Sequence, residues 1–258
     1  VKRIVILTIV IAAIGFALWQ TMWRSHVTRA QTPTVNSIIE HYVNALGGRD
    51  AIQRMKTRIA KGTIEVTGVD GAGSAEAYAK APNKYATVIQ FSPKKAADGS
   101  QIPGYESMRG FDGTSGWVSD PKGLRDVTGQ ELSAMRRDSE FYDSLRIIDV
   151  YPKLELKGTV NVAMRPAYEI DGDPGDGSFR RMYFDVESGL LVRNDEELDT
   201  QDGREATLSY IEDYREVEGM KHPFTIREIH GDQTVTVHLI QIIVNQPIDD
   251  AKFTKPVH

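Results

Sequence analysis

There is no cysteine in this chain. That absence excludes disulfides, thiolate catalysis, cysteine-ligated zinc, c-type haem attachment and the acylated cysteine of bacterial lipoproteins. Histidine is sparse. The six are His26, His41, His222, His230, His238 and His258, and no two have the i, i+4 spacing of a helical zinc site. There is no G-x-S-x-G nucleophile turn and no P-loop. Gly71-Ala72-Gly73 runs into a strand pattern and reads as a turn. Acidic residues are missing altogether before Glu40, although that stretch holds Lys2, Arg3, Arg24 and Arg29.

What is present belongs to a globular protein: 40% hydrophobic and 26% charged residues over 258 positions. Ile4 to Trp19 carries no charge and follows Lys2-Arg3, the n-region and h-region of an export signal. Thr28 and Ala30 place small residues at −3 and −1 for cleavage before Gln31. The alternative is an uncleaved anchor with Trp19 and Trp23 at the interface. Residues 1–30 are therefore expected to be a signal peptide or N-terminal anchor, and 31–258 one exported domain. Without the leader, 27 basic residues face 36 acidic ones, a net charge of −9. An acidic domain with no basic, aromatic-lined stripe is a poor nucleic-acid binder.

Thr34 is a fair N-cap for a helix from Val35 to about Leu46, whose apolar residues recur at i, i+3, i+4, i+7 before Gly47-Gly48 ends it. His41 falls off that stripe. A second short helix covers about Asp50 to Met55. From Arg58 the period becomes two. Strands are expected at Arg58–Thr67, Ala75–Lys80, Lys84–Phe91, Tyr105–Phe111, around Gly116–Val118, and Gly123–Val127. Ser92 to Pro103 reads as an exposed loop. Thr128 and Glu131 have capping-box spacing, opening a helical stretch to Ile148. Seven more strands follow from Leu154 to Ile243, separated by turn signals. This composition predicts a mainly β fold with a few helices. It reads as one long curved antiparallel sheet with the central helices as a lid, and strands this regularly spaced suit a barrel, half-barrel or sandwich.

Chemistry-bearing clusters read blandly. The turn between their strands brings His230 and His238 towards each other, as paired surface histidines. Asp171, Asp173 and Asp176 lack the twelfth-position Glu of a calcium loop and read as an acidic hairpin turn. Glu196-Glu197 and Asp249-Asp250 read as solvated strand edges or caps. No catalytic constellation, metal site or cofactor is expected. The candidates that remain are apolar. Ile64, Val66, Tyr85, Ile89, Phe91 and Trp117 are assigned to one sheet face, opposed by Leu132, Met135, Phe141 and Leu145 from the helical segment. They are either a packed core or the wall and lid of a hydrophobic cavity.

Four motifs occur in a telling order. They are Tyr78-Ala79-Lys80-Ala81-Pro82-Asn83-Lys84-Tyr85; Phe111-Asp112-Gly113 through Trp117 to Asp120-Pro121; Tyr183-Phe184-Asp185 with Gly189-Leu190-Leu191-Val192-Arg193; and Asp250-Ala251-Lys252-Phe253-Thr254 with Pro256. Together they resemble the LolA/LolB-like superfamily of periplasmic lipoprotein carriers and MucB-type sensors. The first helix, Val35 to Arg49, is similar to exported proteins of the outer membrane lipoprotein-sorting kind. The resemblance implies a half-barrel lidded by helices, a cavity for lipid acyl chains or a lipoprotein, and no enzymatic activity. It also implies an inner- or outer-membrane envelope protein as a possible partner. A membrane-anchored sensor or scaffold using the same sheet is the alternative. The carriers have an Arg before the Pro of the first motif, which latches the lid to the sheet. Here Ala81 holds that position with Lys80 beside it, and Lys cannot reproduce a forked guanidinium contact.

Overall fold

Alternation of apolar and polar residues dominates the chain after its first helices, and strands follow it closely. The structure, a computed structural model, describes residues 32–256 apart from 70, 96–100 and 202. The expected leader, its cleavage site, His26 and His258 lie outside the described residues. Among the described residues, no helix is long and apolar enough to cross a membrane.

Helix α1 (Val35–Ala45) is capped as its sequence predicts. Thr34 Oγ1 accepts from the Ser37 amide at 3.2 Å, and Ser37 Oγ accepts from the Thr34 amide at 3.0 Å. Two orphan amides are satisfied reciprocally. Ile38, Ile39, Tyr42 and Val43 form its buried stripe, and Gly47, at φ +125°, turns the chain out. Helix α2 (Arg49–Arg54) follows at once.

Strands β1 (Thr57–Val66), β2 (Gly73–Lys80) and β3 (Lys84–Phe91) come next. The expected loop after Phe91 contains two short strands instead, β4 (Lys94–Lys95) and β5 (Gln101–Ile102), which pair with each other. Strands β6 (Tyr105–Phe111), β7 (Gly116–Asp120) and β8 (Gly123–Val127) complete the first half. The helical segment is divided into α3 (Gly129–Asp138) and α4 (Asp143–Val150). The capping box expected at its start is not made. Glu131 is instead held in a forked ion pair by Arg125, at 2.7 and 2.9 Å. A guanidinium on the strand just before the helix outcompetes a neutral amide for that carboxylate. The second half is β9 (Lys153–Val162), β10 (Arg165–Asp173), β11 (Phe179–Asp185), β12 (Leu191–Thr200), β13 (Gly203–Val217), β14 (Met220–His230) and β15 (Gln233–Val244).

Thirteen of these strands form one antiparallel sheet in the order β8-β7-β6-β3-β2-β1-β15-β14-β13-β12-β11-β10-β9. The first and last strands among the described residues thus meet in the middle, with Ile64 opposite Val237. β8 and β9 are its edges, so the barrel is not closed. The sheet nevertheless curls hard. Gln201, at the β12–β13 turn, donates to the carbonyl of Asp126 on the β8 edge at 3.2 Å.

The main core sits on the second half. There α1, α2 and α4 cover β9–β12, and Tyr42 packs on Phe184 with ring centroids 5.2 Å apart. Ile170 and Phe184 are fully buried. On the first half, α3 covers β7, where Leu132 and Met135 pack on Phe111 and Val127. The chain end closes the other face of β1–β3. Phe253 is fully buried beside Ile59, Tyr78 and Ala86, while Asp250 takes Lys80 at 2.7 Å and Lys84 at 2.9 Å.

Candidate functional site: a cavity in the hollow of the sheet

Six adjacent strands, β6, β3, β2, β1, β15 and β14, enclose a cavity of about 310 Å³. Their pleat sends every second residue inward. Ala60 and Ile64 of β1, Ala75 and Ala77 of β2, and Ile89 of β3 give small or branched apolar walls. Ile226, Val237, Leu239 and Ile242 supply the other side. The alanines matter because they leave space that larger side chains would fill.

Polar groups interrupt this wall: Arg58, Arg109, His222 and Glu228, with Glu76, Thr87 and Ser107 also in the lining. The Arg109 guanidinium lies over the Tyr85 ring, 5.8 Å from its centroid. Glu228 faces His230 at 3.5 Å. The hydrogen bond from His230 holds the Glu228 carboxyl below its ordinary value, and the same bond raises His230. His222 is 1% exposed and its Nε2 has no hydrogen-bond partner. Burial, helped by the charge of Arg58, lowers its pKa to about 4, so its ring is neutral at neutral pH.

The helical segment is tied across the curl. Gly116 lets α3 approach β7, since a Cβ there would stand 2.6 Å from Met135 Sδ. At the other side Arg137 of α3 reaches Asp176 at 2.5 Å, Ser178 at 2.9 Å and Glu196 at 3.7 Å. Arg180 returns the contact to Asp138 and Glu196, both at 2.8 Å. Glu196 is therefore no solvated strand edge: its side chain is 16% exposed, and burial raises its carboxyl despite Arg180. Burial also works to raise Asp176, but hydrogen bonds from Ser178 and Arg137 outweigh it and hold it low. After α3, the Phe141 amide donates to the carbonyl of Pro82 at 2.9 Å. The helical segment is thus fastened without an Arg at position 81. Lys80 points the other way, to Asp250.

The structure brings together only part of the apolar set expected to form a wall and lid. Ile64, Tyr85 and Ile89 line the cavity. Val66 lies in a separate recess at the β1–β2 turn, of about 410 Å³, walled by threonines, Val69 and Gly71 rather than by a continuous apolar surface. Phe91 stacks on Tyr105, with ring centroids 5.2 Å apart. Leu132 and Met135 are occupied under α3, and Phe141 and Leu145 pack on the main core. Trp117 is on the opposite face from the one assigned to it. It is 4% exposed, fills the space left by Gly110, and its Nε1 donates to the carbonyl of Phe253 at 3.0 Å. The register explains this: Gly116 and Val118 take the inward positions on β7, so Trp117 between them faces outward.

The histidine pair is likewise undone. His230 stands opposite Gln233 and bonds Thr207, whereas His238 stands opposite Thr225 and bonds it. Among the described residues, no three His, Asp or Glu side chains are grouped so as to hold a metal ion. The Asp173 and Asp176 carboxylates serve their own turn, accepting from the Gly175 and Ser178 amides. Asp249 caps a 3₁₀ turn over Asp250–Lys252. The wall residues missed by sequence, Arg58, Arg109, His222 and Glu228, share strand parity with apolar neighbours, and that parity was the available signal.

No protein-family model and no curated protein matches the chain. Solved structures do. A DUF1329 family protein from Desulfovibrio piger superposes with a TM-score of 0.54 at 18% identity, over 86% of this chain and 98% of that one. A LolA superfamily protein from Nitrosomonas europaea gives 0.53 at 13% identity, over 87% and 99%. A domain from Vibrio parahaemolyticus, described as an outer membrane lipoprotein-sorting protein domain, gives 0.52 at 10%, over 84% and 97%. At these identities the likeness concerns the fold, and it agrees with the curled, unclosed sheet and its helical strap: the fold of this chain is LolA-like.

Proposed function

We propose that this protein is a non-catalytic binder of lipid acyl chains, free or as part of a lipoprotein, in the periplasm. The observation that carries the proposal is the apolar hollow in the sheet. Its volume of about 310 Å³ falls at the lower end of ligand sites, roughly 300–1,000 Å³. Burying ten methylenes there would contribute about 8 kcal/mol, before the cost of ordering the chain and the protein. No cofactor takes part. The similar domain described as outer membrane lipoprotein-sorting supports this reading, as does the signal-like leader.

The test is native mass spectrometry of protein exported to a bacterial periplasm, with lipid extraction alongside. The expected result is a bound acylated mass that is lost when Ile64 or Ile89 is changed to Asp in a protein that still shows its native near-ultraviolet circular dichroism. A clean unliganded mass, with no uptake of added fatty acid, refutes the proposal. It would favour a sensor or scaffold that uses the sheet to meet an envelope protein.

A further inference from the structure

One end of the cavity presents a guanidinium that no carboxylate of the described residues contacts. Arg58 sits on β1 with the same parity as Ala60 and Ile64 and is half-buried in the wall. Arg125, Arg137, Arg180, Arg181 and Arg193 each have a carboxylate within ion-pair distance. Among the described residues, Arg58 has none. The acid whose field reaches it is Asp143 of α4, whose carboxyl is raised by burial despite Arg58. Beside Arg58 stands His222, fully enclosed, with Nε2 lacking any partner. Leaving such a nitrogen buried and unsatisfied is costly unless something bonds it. The far end of the cavity differs. There Arg109, three strands away from β1, lies against the Tyr85 ring, and the field of Glu228, which pairs with His230, reaches it without an ion-pair contact. Between the two ends lie alanine and branched aliphatic walls.

The geometry points to a ligand that is an anionic amphiphile, its carboxylate or phosphate head held by the Arg58 guanidinium and the His222 imidazole while its chain lies against Ile64, Ile89 and Val237. This rests on the reading of the cavity as an acyl-chain site and names the polar end of its ligand. A guanidinium offers a fork to either oxyanion, and a neutral imidazole protonated at Nε2 adds one N–H donor. The same pair offers a bare hydroxyl less and repels a cationic head.

The test compares four ten-carbon probes on the full chain by isothermal titration calorimetry: decanoate, decyl phosphate, decanol and decyltrimethylammonium. Decanoate or decyl phosphate is expected to bind at least roughly tenfold more tightly than decanol, as one charge-assisted hydrogen bond provides. Whichever of the two anions binds better identifies the head. Arg58→Gln is expected to remove that preference, measured as the ratio of anion to decanol affinity in the same variant, and Arg58→Lys to keep part of it. As a readout independent of any variant's folding, the His222 ring resonances should move with the anions and not with decanol. Equal binding of anions and decanol, or a preference that survives Arg58→Gln, overturns the head-group assignment and leaves the acyl-chain reading standing. Absence of binding by every probe overturns both.

Discussion

Protonation of His222 should set much of the acid sensitivity of this fold. The ring is 1% exposed, and its folded pKa of about 4 lies below the ordinary 6.5 because burial, then the Arg58 charge, disfavours the cation. The unfolded chain therefore takes up this proton more readily than the folded one. The contribution to stability is fully present above pH 6.5 and is lost as pH falls from 6.5 towards 4. That interval corresponds to about 3 kcal/mol, at about 1.4 kcal/mol per pH unit. Urea unfolding of the unliganded protein at about pH 7 and about pH 5 measures it, with His222→Gln as the comparison. The wild-type protein should lose about 2 kcal/mol more over that range than the variant. His230 works in the opposite sense, because Glu228 raises it, so its contribution is present at low pH and lost as pH rises. It is unchanged in the variant and drops out of the difference. Equal pH slopes for the two proteins would refute the reasoning.

Other outcomes follow from the same packing. Arg137→Met should destabilise by about 2–4 kcal/mol, because Asp176 and Glu196 are left shielded and short of a cation, and a double-mutant cycle with Glu196→Gln should show coupling. Gly110→Ala should cost at least about 2 kcal/mol in thermal or urea unfolding. Its Cβ would stand 2.6 Å from the Trp117 ring, and the ring cannot retreat past Phe253. Asp250→Asn should flatten the stability profile below pH 4, since Lys80 and Lys84 hold that carboxyl at about 2 and its stabilisation is present above 3.8 and fades as pH falls towards 2. Ultracentrifugation alongside each unfolding series checks that the variants remain in the same assembly state.

The fold was legible because its signals are local. Thr34 before an amphipathic run, the period-two stretches and the Asp-Gly and Ser-Gly turns each specify an element without reference to the rest of the chain. The site was less legible because it depends on parity and on distant partners. Trp117 drew attention by its size, but a strand residue faces inward or outward by its count from the turn, and Gly116 takes the inward place. Arg58 and Arg109 drew no site reading from the sequence, yet their register sets them in line with Ala60 and Thr87. Glu131 carried a capping signature, and Arg125, six residues earlier, claimed it. Glu196 looked exposed until Arg137 and Arg180, from a helix and a neighbouring strand, closed over it.

The meeting of β1 and β15 at the centre of the sheet has a consequence for how the molecule is made. On each side of that seam, strands pair with near neighbours in sequence, so each wing forms from short-range contacts. The seam joins segments at opposite ends of the described chain. Its closure carries most of the loop entropy, and a pairing of such high sequence separation is the slow step of a sheet's assembly. Synthesis delivers β15 last, so a nascent chain can build both wings and still lack a middle. The hollow has its floor at the seam, with Ile64 from one side and Val237 from the other. Neither wing alone contains it, and a cargo that enters it is a reporter of the last pairing to form.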